Sequence, residues 1–391
     1  MDKLLPYKII FGGALEASVS DIDAPANRRI SMSNIAVGMS GGIDSSVAAA
    51  ILRRAGHNVI GISMQTWAHD TLPGKYSRHG CYGPSEEDDI RDAQEVADFL
   101  NIPLHVVDLR EEYHSHVLEY SRQEYLLGRT PNPCIKCNRK VKFEALLEKA
   151  KSNGIDFDYF ATGHYVRIEC SKSSGRYLLK KGSDPRKDQS YFLFSLTQEQ
   201  LSRSLFPLGE YSKDDIRIMA RDFGLPTHSK SESQDFVDGG YGVLVDGQTR
   251  PGHILDAQGD ILGEHRGIAF YTIGQRRGLG ISAKERLFVT AIDHQENTIM
   301  VGTKSEVYGR FLTASQLNWI ALDRLDHAIT VAAKIRYAHH GAKATVTPVH
   351  EDKVYVEFAE PEMAITPGQA VVFYDGDTVV GGGVIDTLDT Y

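Results

Sequence analysis

The chain has 391 residues, of which 41% are hydrophobic and 24% are charged, and its formal net charge is −9 at pH 7. This length allows two or three domains with hydrophobic cores of their own, and the composition is that of an ordinary globular protein. The sequence has no apolar run of membrane-spanning length, and its acidic balance means that a nucleic-acid partner would need a locally basic surface.

The N-terminal residues and the cysteines bear on where the chain works. Residues 1–31 lack a basic start followed by an apolar core, so they do not have the pattern of a signal peptide. We expect them to form a disordered extension, and Met32, just before the first predicted strand, is a candidate for the true start. Four cysteines in a long sequence without the pattern of a signal peptide indicate a reducing, cytoplasmic location, where cysteines serve chemistry rather than form disulfides. The cysteines are Cys81, Cys134, Cys137 and Cys170.

A glycine- and serine-rich segment joins the first predicted strand to the first predicted helix. It reads Gly38-Met39-Ser40-Gly41-Gly42-Ile43-Asp44-Ser45-Ser46 and stands between the apolar run 35–37 and a helical pattern that ends near Gly56. Unpaired N–H groups and the dipole at a helix start attract an anion, and glycine lets a phosphate approach the main chain. The segment has no lysine, so it is not a Walker A loop, and Asp44 fits a phosphate site if a Mg²⁺ shares that site.

From residue 34 to about 165 the pattern alternates between strands and helices. Strands are predicted at 58–64, 104–109 and 157–161, and helices at 111–127 and 140–152. A further helix is predicted after Ser85, because Ser85 and Asp88 have the spacing of a capping box. The alternation predicts a parallel sheet with helices on both faces, whose ligands bind beyond the carboxyl ends of the strands.

The segment Gly128–Asn138 carries a C-x-x-C motif, formed by Cys134 and Cys137. Its two prolines predict an irregular loop outside helix and sheet. Arg129 and Lys136 lie beside the cysteines in the sequence, and a nearby positive charge favours the nucleophilic thiolate. Two ordinary loop cysteines would give the same spacing without any chemistry.

Cys81 lies just before a predicted helix, in the loop that follows the second predicted strand. In a parallel sheet this position belongs to the ligand-binding edge, so Cys81, Cys134 and Cys137 are expected to converge there. A structural zinc site is an alternative for the C-x-x-C motif, with Cys81 and His79 as the two further ligands.

After about residue 230 the pattern changes to β structure. Residues 237–310 are rich in glycine and short strand patterns, and apolar and polar positions alternate through residues 329–391. Asp375-Gly376 is a hairpin signal within the second of these stretches. A small barrel is the predicted form of the C-terminal part.

Two segments carry a resemblance to known enzymes. Ser40-Gly41-Gly42-Ile43-Asp44-Ser45 resembles the PP-loop of the N-type ATP pyrophosphatases, which hold the pyrophosphate end of ATP and transfer AMP. Together with Gly128–Asn138 it resembles the bacterial tRNA-specific 2-thiouridylases (the MnmA family), and this resemblance runs from about Asn34 to the C-terminus. The further motifs, in family order, lie at 161–165, 187–193, 271–280, 334–337 and 367–369.

The resemblance implies an α/β fold in three parts. These are a PP-loop ATP pyrophosphatase domain with a parallel sheet at 32–230, a small central β-rich domain at 231–310 and a C-terminal β-barrel domain at 311–391. The implied reaction is the ATP-dependent 2-thiolation of the wobble uridine in tRNA anticodons through an adenylated intermediate. ATP and Mg²⁺ are the implied cofactors, the implied partners are tRNA and either a sulfur-donor protein or sulfide, and no membrane is involved.

The resemblance also assigns site residues. Those implied for the nucleotide are Gly38, Met39, Ser40, Gly41, Gly42, Ile43, Asp44, Ser45, Met64 and Gly163. Those implied for tRNA are Asn132, Pro133, Cys134, His164, Lys187, Asp188, Gln189, Arg336, Tyr337 and Gln369. Cys137 matches the nucleophilic cysteine of the family. Arg276 and Arg277 are candidate phosphate contacts on composition alone, with solvated surface arginines as the alternative.

Two positions depart from the family pattern. Cys134 stands where the usual members have Asp, and Asp235 stands where they carry a second sulfur-bearing cysteine, which removes one cysteine of the usual persulfide relay. Either Cys134 replaces the missing relay cysteine, or Cys81, Cys134 and Cys137 hold a [4Fe–4S] cluster, as in other cluster-dependent tRNA thiolases of the PP-loop class. Cys170 lies in a polar, serine-rich turn and is not expected to take part.

Two other functions fit part of the pattern. A PP-loop ligase that activates a carboxylate and uses ammonia has no need of a C-x-x-C motif or of tRNA-binding motifs. A non-catalytic RNA-binding protein with a decayed nucleotide site would not be expected to keep Ser40, Gly41, Gly42, Asp44 and Ser45 intact.

Overall fold

The computed structural model describes residues 32–68, 81–230, 241–245 and 247–386. The predicted extension 1–31, the proposed zinc ligand His79 and the segment 231–236 with Asp235 lie outside the described residues.

The N-terminal domain is built on a parallel sheet. The strands of that sheet are β1 (Asn34–Gly38), β2 (Asn58–Gln65), β3 (Leu104–Asp108), β4 (Tyr159–Ala161) and β7 (Ser204–Leu205). Two further strands of the domain, β5 (Val166–Cys170) and β6 (Tyr177–Lys181), form a separate antiparallel hairpin. The α-helices of the domain are α1 (Ile43–Arg54), α2 (Glu86–Leu100), α3 (Arg110–Tyr113), α4 (Tyr120–Leu126), α5 (Pro133–Lys136), α6 (Leu146–Ser152), α7 (Ser190–Leu193), α8 (Gln198–Ser202) and α9 (Lys213–Asp222). The strand order β3-β2-β1-β4-β7 is parallel throughout, which confirms the predicted sheet.

Both faces of this sheet are covered, as the short apolar run of β1 requires. Ile35 and Val37 pack with Val96 of α2 in one buried cluster. Ala36, which points to the opposite face, belongs to a second cluster with Val141 and Phe160. The carboxyl ends of β1, β2 and β4 therefore meet at one edge between these layers, where ligands of such sheets bind.

Helix starts differ from the predictions at two places. The helix predicted at 140–152 begins at Pro133 and passes through a π-helical stretch, Cys137–Ala145, so the C-x-x-C motif opens a helix and the predicted irregular loop is wrong there. Proline is tolerated at the first helical position because its missing N–H would have no helical partner there. Ser85 precedes α2 as predicted, but within the described residues its hydroxyl makes no capping hydrogen bond to that helix. The next residue, Glu86, accepts a hydrogen bond from the Thr66 N–H at 2.7 Å.

The other predicted helix of this region, 111–127, is observed with an interruption. Its α-helical parts α3 and α4 are joined by a second π-helical stretch, His114–Glu119. Wider helical turns of this kind are rare and are found mostly near functional sites.

The central domain is a small sheet with its own core. Its strands are β8 (Gly252–Leu255), β9 (Ile261–His265), β10 (Phe288–Asp293) and β11 (Thr298–Gly302), in the order β10-β11-β8-β9. Ile254, Leu279, Val289 and Ile299 fill the core. The predicted β-rich character of this part is confirmed.

The C-terminal domain is a closed barrel, as predicted. Its strands are β12 (Tyr308–Trp319), β13 (Ile329–Lys334), β14 (Ala342–His350), β15 (Lys353–Met363), β16 (Ala370–Asp375) and β17 (Thr378–Ile385). They follow the order β12-β15-β14-β13-β16-β17, and β17 pairs back onto β12, which closes the ring. The predicted Asp375-Gly376 turn joins β16 to β17, and Gly376 adopts the positive φ of +60° that such a turn requires.

A hairpin of the N-terminal domain extends the barrel sheet. The β5–β6 hairpin pairs with β17 through Lys180 and Thr378, and the Arg167 guanidinium lies 2.8 Å from the Asp377 carboxylate. The two domains therefore share hydrogen-bonded strands, a connection that the sequence pattern does not indicate. Among the described residues, no helix is both long enough and apolar enough to cross a membrane.

Candidate active site

The predicted phosphate loop, residues 38–46, forms the turn between β1 and α1. Gly41 has φ +66°, and a Cβ there would lie 2.3 Å from the main-chain oxygen of Asp89, so this position requires glycine for both reasons. The Ser40 N–H donates to the Ser45 hydroxyl at 3.3 Å and so closes the turn. Within the described residues no side chain caps α1 at Gly42, so the helix start offers its N–H groups to an anion.

Gly163, which follows β4, packs against this loop. A Cβ at this position would lie 2.8 Å from the carbonyl carbon of Asp44 and 2.9 Å from the main-chain nitrogen of Ser45. Met64 lies half-buried near the end of β2, the strand that pairs with β1. The structure thus brings the predicted nucleotide residues to one edge of the sheet, and their binding of ATP stays a prediction.

The Asp44 carboxylate is held by two side chains that sequence reasoning missed. The Lys213 ammonium donates to both of its oxygens, at 2.7 and 2.9 Å, and the Tyr165 hydroxyl donates to one of them at 2.7 Å. Lys213 is the first residue of α9, and its side chain is only 5% exposed. The sequence does contain one local signal of this ion pair. A lysine at a helix start is disfavoured by the helix dipole, so Lys213 indicates a nearby negative partner.

Cys134 and Cys137 lie within the first turns of the helix that starts at Pro133. Asn132 occupies the N-cap position, and Cys137 begins the π-helical stretch. Cys134 is exposed at the surface and Cys137 is partly buried. The short helix α5 packs against the π-helical stretch His114–Glu119 and against α7.

Burial controls the protonation of both thiols. Although Cys134 is exposed, protein surrounds its thiol on most sides, and this burial raises the pKa of Cys134 to about 12. Burial likewise raises the pKa of Cys137, while the charge of Lys142 acts in the opposite direction on both groups without overcoming burial. Both thiols are therefore protonated at neutral pH, and the predicted bias toward the thiolate is wrong for this state of the protein.

The two cations named from the sequence do not face the thiols. Arg129 forms an ion pair with Glu124 at 2.8 Å. Lys136 donates to Gln316 of the barrel at 3.1 Å and lies 4.6 Å from the centre of the Tyr120 ring. Lys142, five residues after Cys137, takes their place, because a π-helical turn brings residues at this spacing to the same side of the helix.

Cys81 joins the two other cysteines around a buried tyrosine. The pKa of Tyr113 is raised well above its usual value, first by burial and then by the charges of Cys137, Cys81 and Cys134. Tyr82, the neighbour of Cys81, stacks on Tyr113 with ring centres 5.2 Å apart. All three cysteines thus act on the same tyrosine, and their convergence into one site stays a prediction.

In this structure the three cysteines do not form a metal site. Within the described residues, no three His, Cys, Asp or Glu side chains are grouped closely enough to hold a metal ion. The donor chemistry fits an iron–sulfur cluster in kind and in number of thiols, but the side-chain positions are not those of a bound cluster. The zinc alternative depends on His79, which lies outside the described residues.

His164 connects the cysteine helix to the nucleotide edge. It follows Gly163, and its Nδ1 lies 2.7 Å from the Thr162 hydroxyl oxygen. Burial lowers the pKa of His164 well below its usual value, and the charge of Lys142 lowers it further. The His164 ring centre also lies 6.2 Å from that of Phe143, in the π-helical stretch that Cys137 opens, so the cysteine helix packs beside the residues that contact the phosphate loop.

Several residues implied for tRNA make contacts within the protein. The buried Asp188 carboxylate accepts the N–H of Ser190 at 3.0 Å, and the Gln189 side-chain oxygen accepts the N–H of Tyr165 at 2.9 Å. The Gln369 amide donates to two carbonyl oxygens just before Pro133. These residues shape the site from within, and their contact with tRNA stays a prediction.

The remaining implied tRNA residues cluster where the barrel meets the N-terminal domain. The Arg336 guanidinium donates to the Met363 carbonyl oxygen at 2.9 Å, and Tyr337, which is 37% exposed, lies with its ring centre 4.5 Å from that of Phe192. The structure therefore brings the motifs at 187–193 and 334–337 together. Lys187 is half-buried, whereas Arg276 and Arg277 are exposed.

Known protein families match each of the three domains. Residues 33–237 match a family model described as a tRNA methyl transferase HUP domain, residues 245–303 match the PRC-barrel domain of the same group, and residues 310–385 match an aminomethyltransferase beta-barrel domain. The chain is 48% identical over 363 residues to the tRNA-specific 2-thiouridylase MnmA of Acetivibrio thermocellus, covering 91% of this chain and 100% of that protein. It is 44% identical to the corresponding protein of Clostridium perfringens, covering 90% of this chain and 98% of that one.

Likeness to solved structures is weaker. The U34-tRNA thiolase NcsA from Methanococcus maripaludis, solved with its [4Fe-4S] cluster, has 18% identity and a TM-score of 0.32 over 52% of this chain and 61% of its own. This similarity is too low to bear on function, whereas the relatives above are similar along nearly their whole length. The chain therefore belongs to the family of tRNA-specific 2-thiouridylases.

Proposed function

We propose that this chain is a tRNA sulfurtransferase that uses ATP, with Mg²⁺, to replace O2 of the wobble uridine in tRNA anticodons with sulfur. The observation that carries the proposal is the adjacency of two parts of the site. Gly163 packs against the phosphate loop, and the ring of its neighbour His164 lies 6.2 Å from that of Phe143, on the helix that carries the C-x-x-C motif. We propose that one uridine binds between these two parts.

Activation comes first, because a ring carbonyl oxygen is a poor leaving group. The uridine O2 attacks the α-phosphorus of ATP, the bond to pyrophosphate breaks, and O2 becomes part of an AMP ester. The start of α1 and the loop 38–45 would hold the departing pyrophosphate through main-chain N–H groups. The neutral His164 does not add a positive charge beside the base.

Substitution follows at the same carbon. A sulfur nucleophile attacks C2, and AMP leaves with the original oxygen. We propose that Cys137 presents this sulfur, with Cys134 and Cys81 beside it, which the mutual influence of the three thiols supports. The sulfur comes from a donor protein or from sulfide. Because tRNA is the substrate and the thiols must stay reduced, we propose a cytoplasmic location.

Two routes for the sulfur remain distinct proposals. In the relay route, the sulfur must come from a persulfide of the donor protein, because free sulfide would need an oxidant. The Cys137 thiolate takes the outer sulfur of that persulfide, and the donor thiolate leaves. The Cys137 persulfide then attacks C2 as AMP departs, and the Cys134 thiolate attacks the protein-side sulfur. This second attack releases 2-thiouridine, leaves a Cys134–Cys137 disulfide, and requires a thiol reductant to restore both cysteines. In the cluster route, Cys81, Cys134 and Cys137 would hold a [4Fe–4S] cluster, which when bound would supply sulfide to the activated carbon.

ATP–pyrophosphate exchange tests the proposed function. With unmodified tRNA we expect labelled pyrophosphate to enter ATP, and we expect a 2-thiouridine product when a sulfur source is added. A protein that exchanges pyrophosphate with a carboxylate substrate but not with tRNA would instead be a PP-loop ligase. A protein that binds tRNA without any exchange would be a non-catalytic RNA-binding protein.

A further inference from the structure

Lys213 stands out because it brings a cation to a phosphate loop that has none of its own. Its ammonium is 5% exposed and donates to both oxygens of Asp44 at 2.7 and 2.9 Å. The Tyr165 hydroxyl adds a third hydrogen bond to the same carboxylate at 2.7 Å. Asp44 thus accepts three hydrogen bonds from these two side chains, and its own side chain is 30% exposed.

The placement of Lys213 is built into the fold. Ser212 and Asp215 form a complete capping box at the start of α9, which fixes the first turn of that helix. Ile216 and Ala220, farther along α9, pack in the same buried cluster as Val47 of α1. Because α1 carries Asp44 in its first turn, the packing of the two helices sets the distance between the lysine and the aspartate.

A charge at this place requires compensation. A lysine at the start of α9 is opposed by the dipole of that helix, and a carboxylate at the mouth of an anion site repels the phosphates of ATP. The Lys213 ammonium and the Asp44 carboxylate are each unfavourable alone, and each neutralises the other when they are paired.

We propose that Lys213 is a positioning residue for ATP, which acts by neutralising and orienting Asp44 so that the phosphate loop attracts the pyrophosphate end of the nucleotide. The inference rests on the proposed function for the identity of the ligand. Lys213 does not itself need to touch the nucleotide. Its role is exerted through Asp44, and this distinguishes it from the lysine of a Walker A loop, which contacts the phosphates directly.

The test is the affinity for ATP with Mg²⁺, measured by titration calorimetry on the full chain. Lys213→Met leaves Asp44 bare beside the phosphates, and we expect the dissociation constant to rise about 10- to 100-fold. The double variant Lys213→Met/Asp44→Asn removes both charges, and we expect it to recover most of this loss. Lys213→Arg keeps the charge and should bind nearly as tightly as the parent.

Lys180→Met is the matched control. Lys180 is paired with Glu169 at 2.8 Å on the β5–β6 hairpin, away from the loop, and its loss should leave ATP affinity unchanged. If Lys213→Met fails to fold, Lys213→Gln, which removes the charge but keeps a hydrogen-bond donor, takes its place as the single variant. An unchanged affinity in Lys213→Met, or a double variant that binds as weakly as the single one, would overturn the inference.

The outcome is separable from that of the proposed function. A parent protein that binds ATP but shows no tRNA-dependent pyrophosphate exchange would refute the proposed function and leave the role of Lys213 to be judged by binding. A parent that does exchange, with a Lys213→Met variant of equal ATP affinity, would refute only the role of Lys213.

Discussion

The Gln369 side-chain amide, in the C-terminal barrel, donates a hydrogen bond to the Thr130 carbonyl oxygen at 2.9 Å, and it also donates to Pro131 at 3.2 Å. The Thr130 N–H in turn donates to the Pro367 carbonyl oxygen at 2.9 Å. The barrel thereby holds the segment that leads into the cysteine helix. The C-terminal barrel therefore contacts the main chain at Thr130 and Pro131, a few residues before Cys134.

We expect Gln369→Ala to lower the thiolation rate by about tenfold or more, because small displacements of a reacting group have large effects on rate. ATP affinity should not change. Among the described residues, the Gln369 amide donates to Thr130 and Pro131 and makes no hydrogen bond to the phosphate loop. Single-turnover thiolation and ATP titration measure the two quantities separately.

Gln198→Ala is the control for the loss of two glutamine–carbonyl hydrogen bonds. Gln198 donates to Tyr177 and Ile320 at 3.0 and 3.2 Å and accepts the Tyr177 N–H at 2.8 Å, outside the cysteine segment. Gln369→Ala should lose about 1–3 kcal/mol of stability for two hydrogen bonds, and Gln198→Ala somewhat more for three. Equal thiolation rates in the two variants would show that Gln369 contributes stability alone.

Gly41→Ala should abolish ATP binding. The substitution imposes a positive φ on a residue with a Cβ and places that Cβ 2.3 Å from the Asp89 oxygen, so the loop has to move. Gly56→Ala is the control, because Gly56 has φ +90° but no atom of the described residues lies within 4 Å of its built Cβ. It should cost about 1–2 kcal/mol of stability and leave ATP affinity intact. Retained ATP affinity in a folded Gly41→Ala protein would place the nucleotide elsewhere.

His164 should make the protein less stable in mild acid. Burial lowers its folded-state pKa, so the unfolded chain binds a proton that the folded protein does not. The stability that this group contributes is fully present above the unfolded pKa of about 6.5 and is lost as the pH falls toward the folded value, by at most about 1.4 kcal/mol per pH unit.

The measurement is urea unfolding between about pH 5 and pH 7.5, above and below the ordinary histidine pKa. His164→Gln, which cannot take up this proton, should show a shallower decline toward acid than the parent. The difference between the two curves, rather than the stability at one pH, carries the result, since the substitution itself alters packing beside Phe143 and Phe206. Parallel curves would mean that His164 is protonated equally easily in both states.

Local patterns predicted the parts of this protein that local physics determines. The apolar run of β1, the glycine loop and the first helix follow from adjacent residues, and so does the turn at Asp375-Gly376. The same reasoning failed at Pro133, since a proline signals either a loop or the first turn of a helix, and the neighbours of α5 decide between them.

Contacts between distant residues could not be predicted in this way. Lys213 meets Asp44 because α9 packs on α1, and no pattern within either segment encodes that pairing. The cations beside the cysteines were misassigned for the same reason. Lys136 was chosen for its place in the sequence, whereas Lys142 reaches the thiols through the wide turn of a π-helical stretch.

Cys134 and Cys137 should each be necessary for thiolation and dispensable for adenylation. Cys134→Ala and Cys137→Ala should each retain tRNA-dependent pyrophosphate exchange, because the phosphate loop makes no use of sulfur. Each should lose 2-thiouridine formation, measured by mass spectrometry of digested tRNA. Cys170→Ala is the control, since Cys170 ends β5 on the hairpin, and this variant should thiolate at the parental rate.

The Cys81→Ala variant distinguishes the cluster route from the relay route. If the three thiols hold a cluster, anaerobically purified parent protein should contain iron and absorb visible light, and each of the three alanine variants should lose both properties. If Cys134 and Cys137 form a relay, the parent should be colourless, Cys81→Ala should remain active, and a Cys134–Cys137 disulfide should accumulate after one turnover without a thiol reductant. An active Cys81→Ala protein that still contains iron would contradict both routes, because the cluster would then lack one of its three thiol ligands.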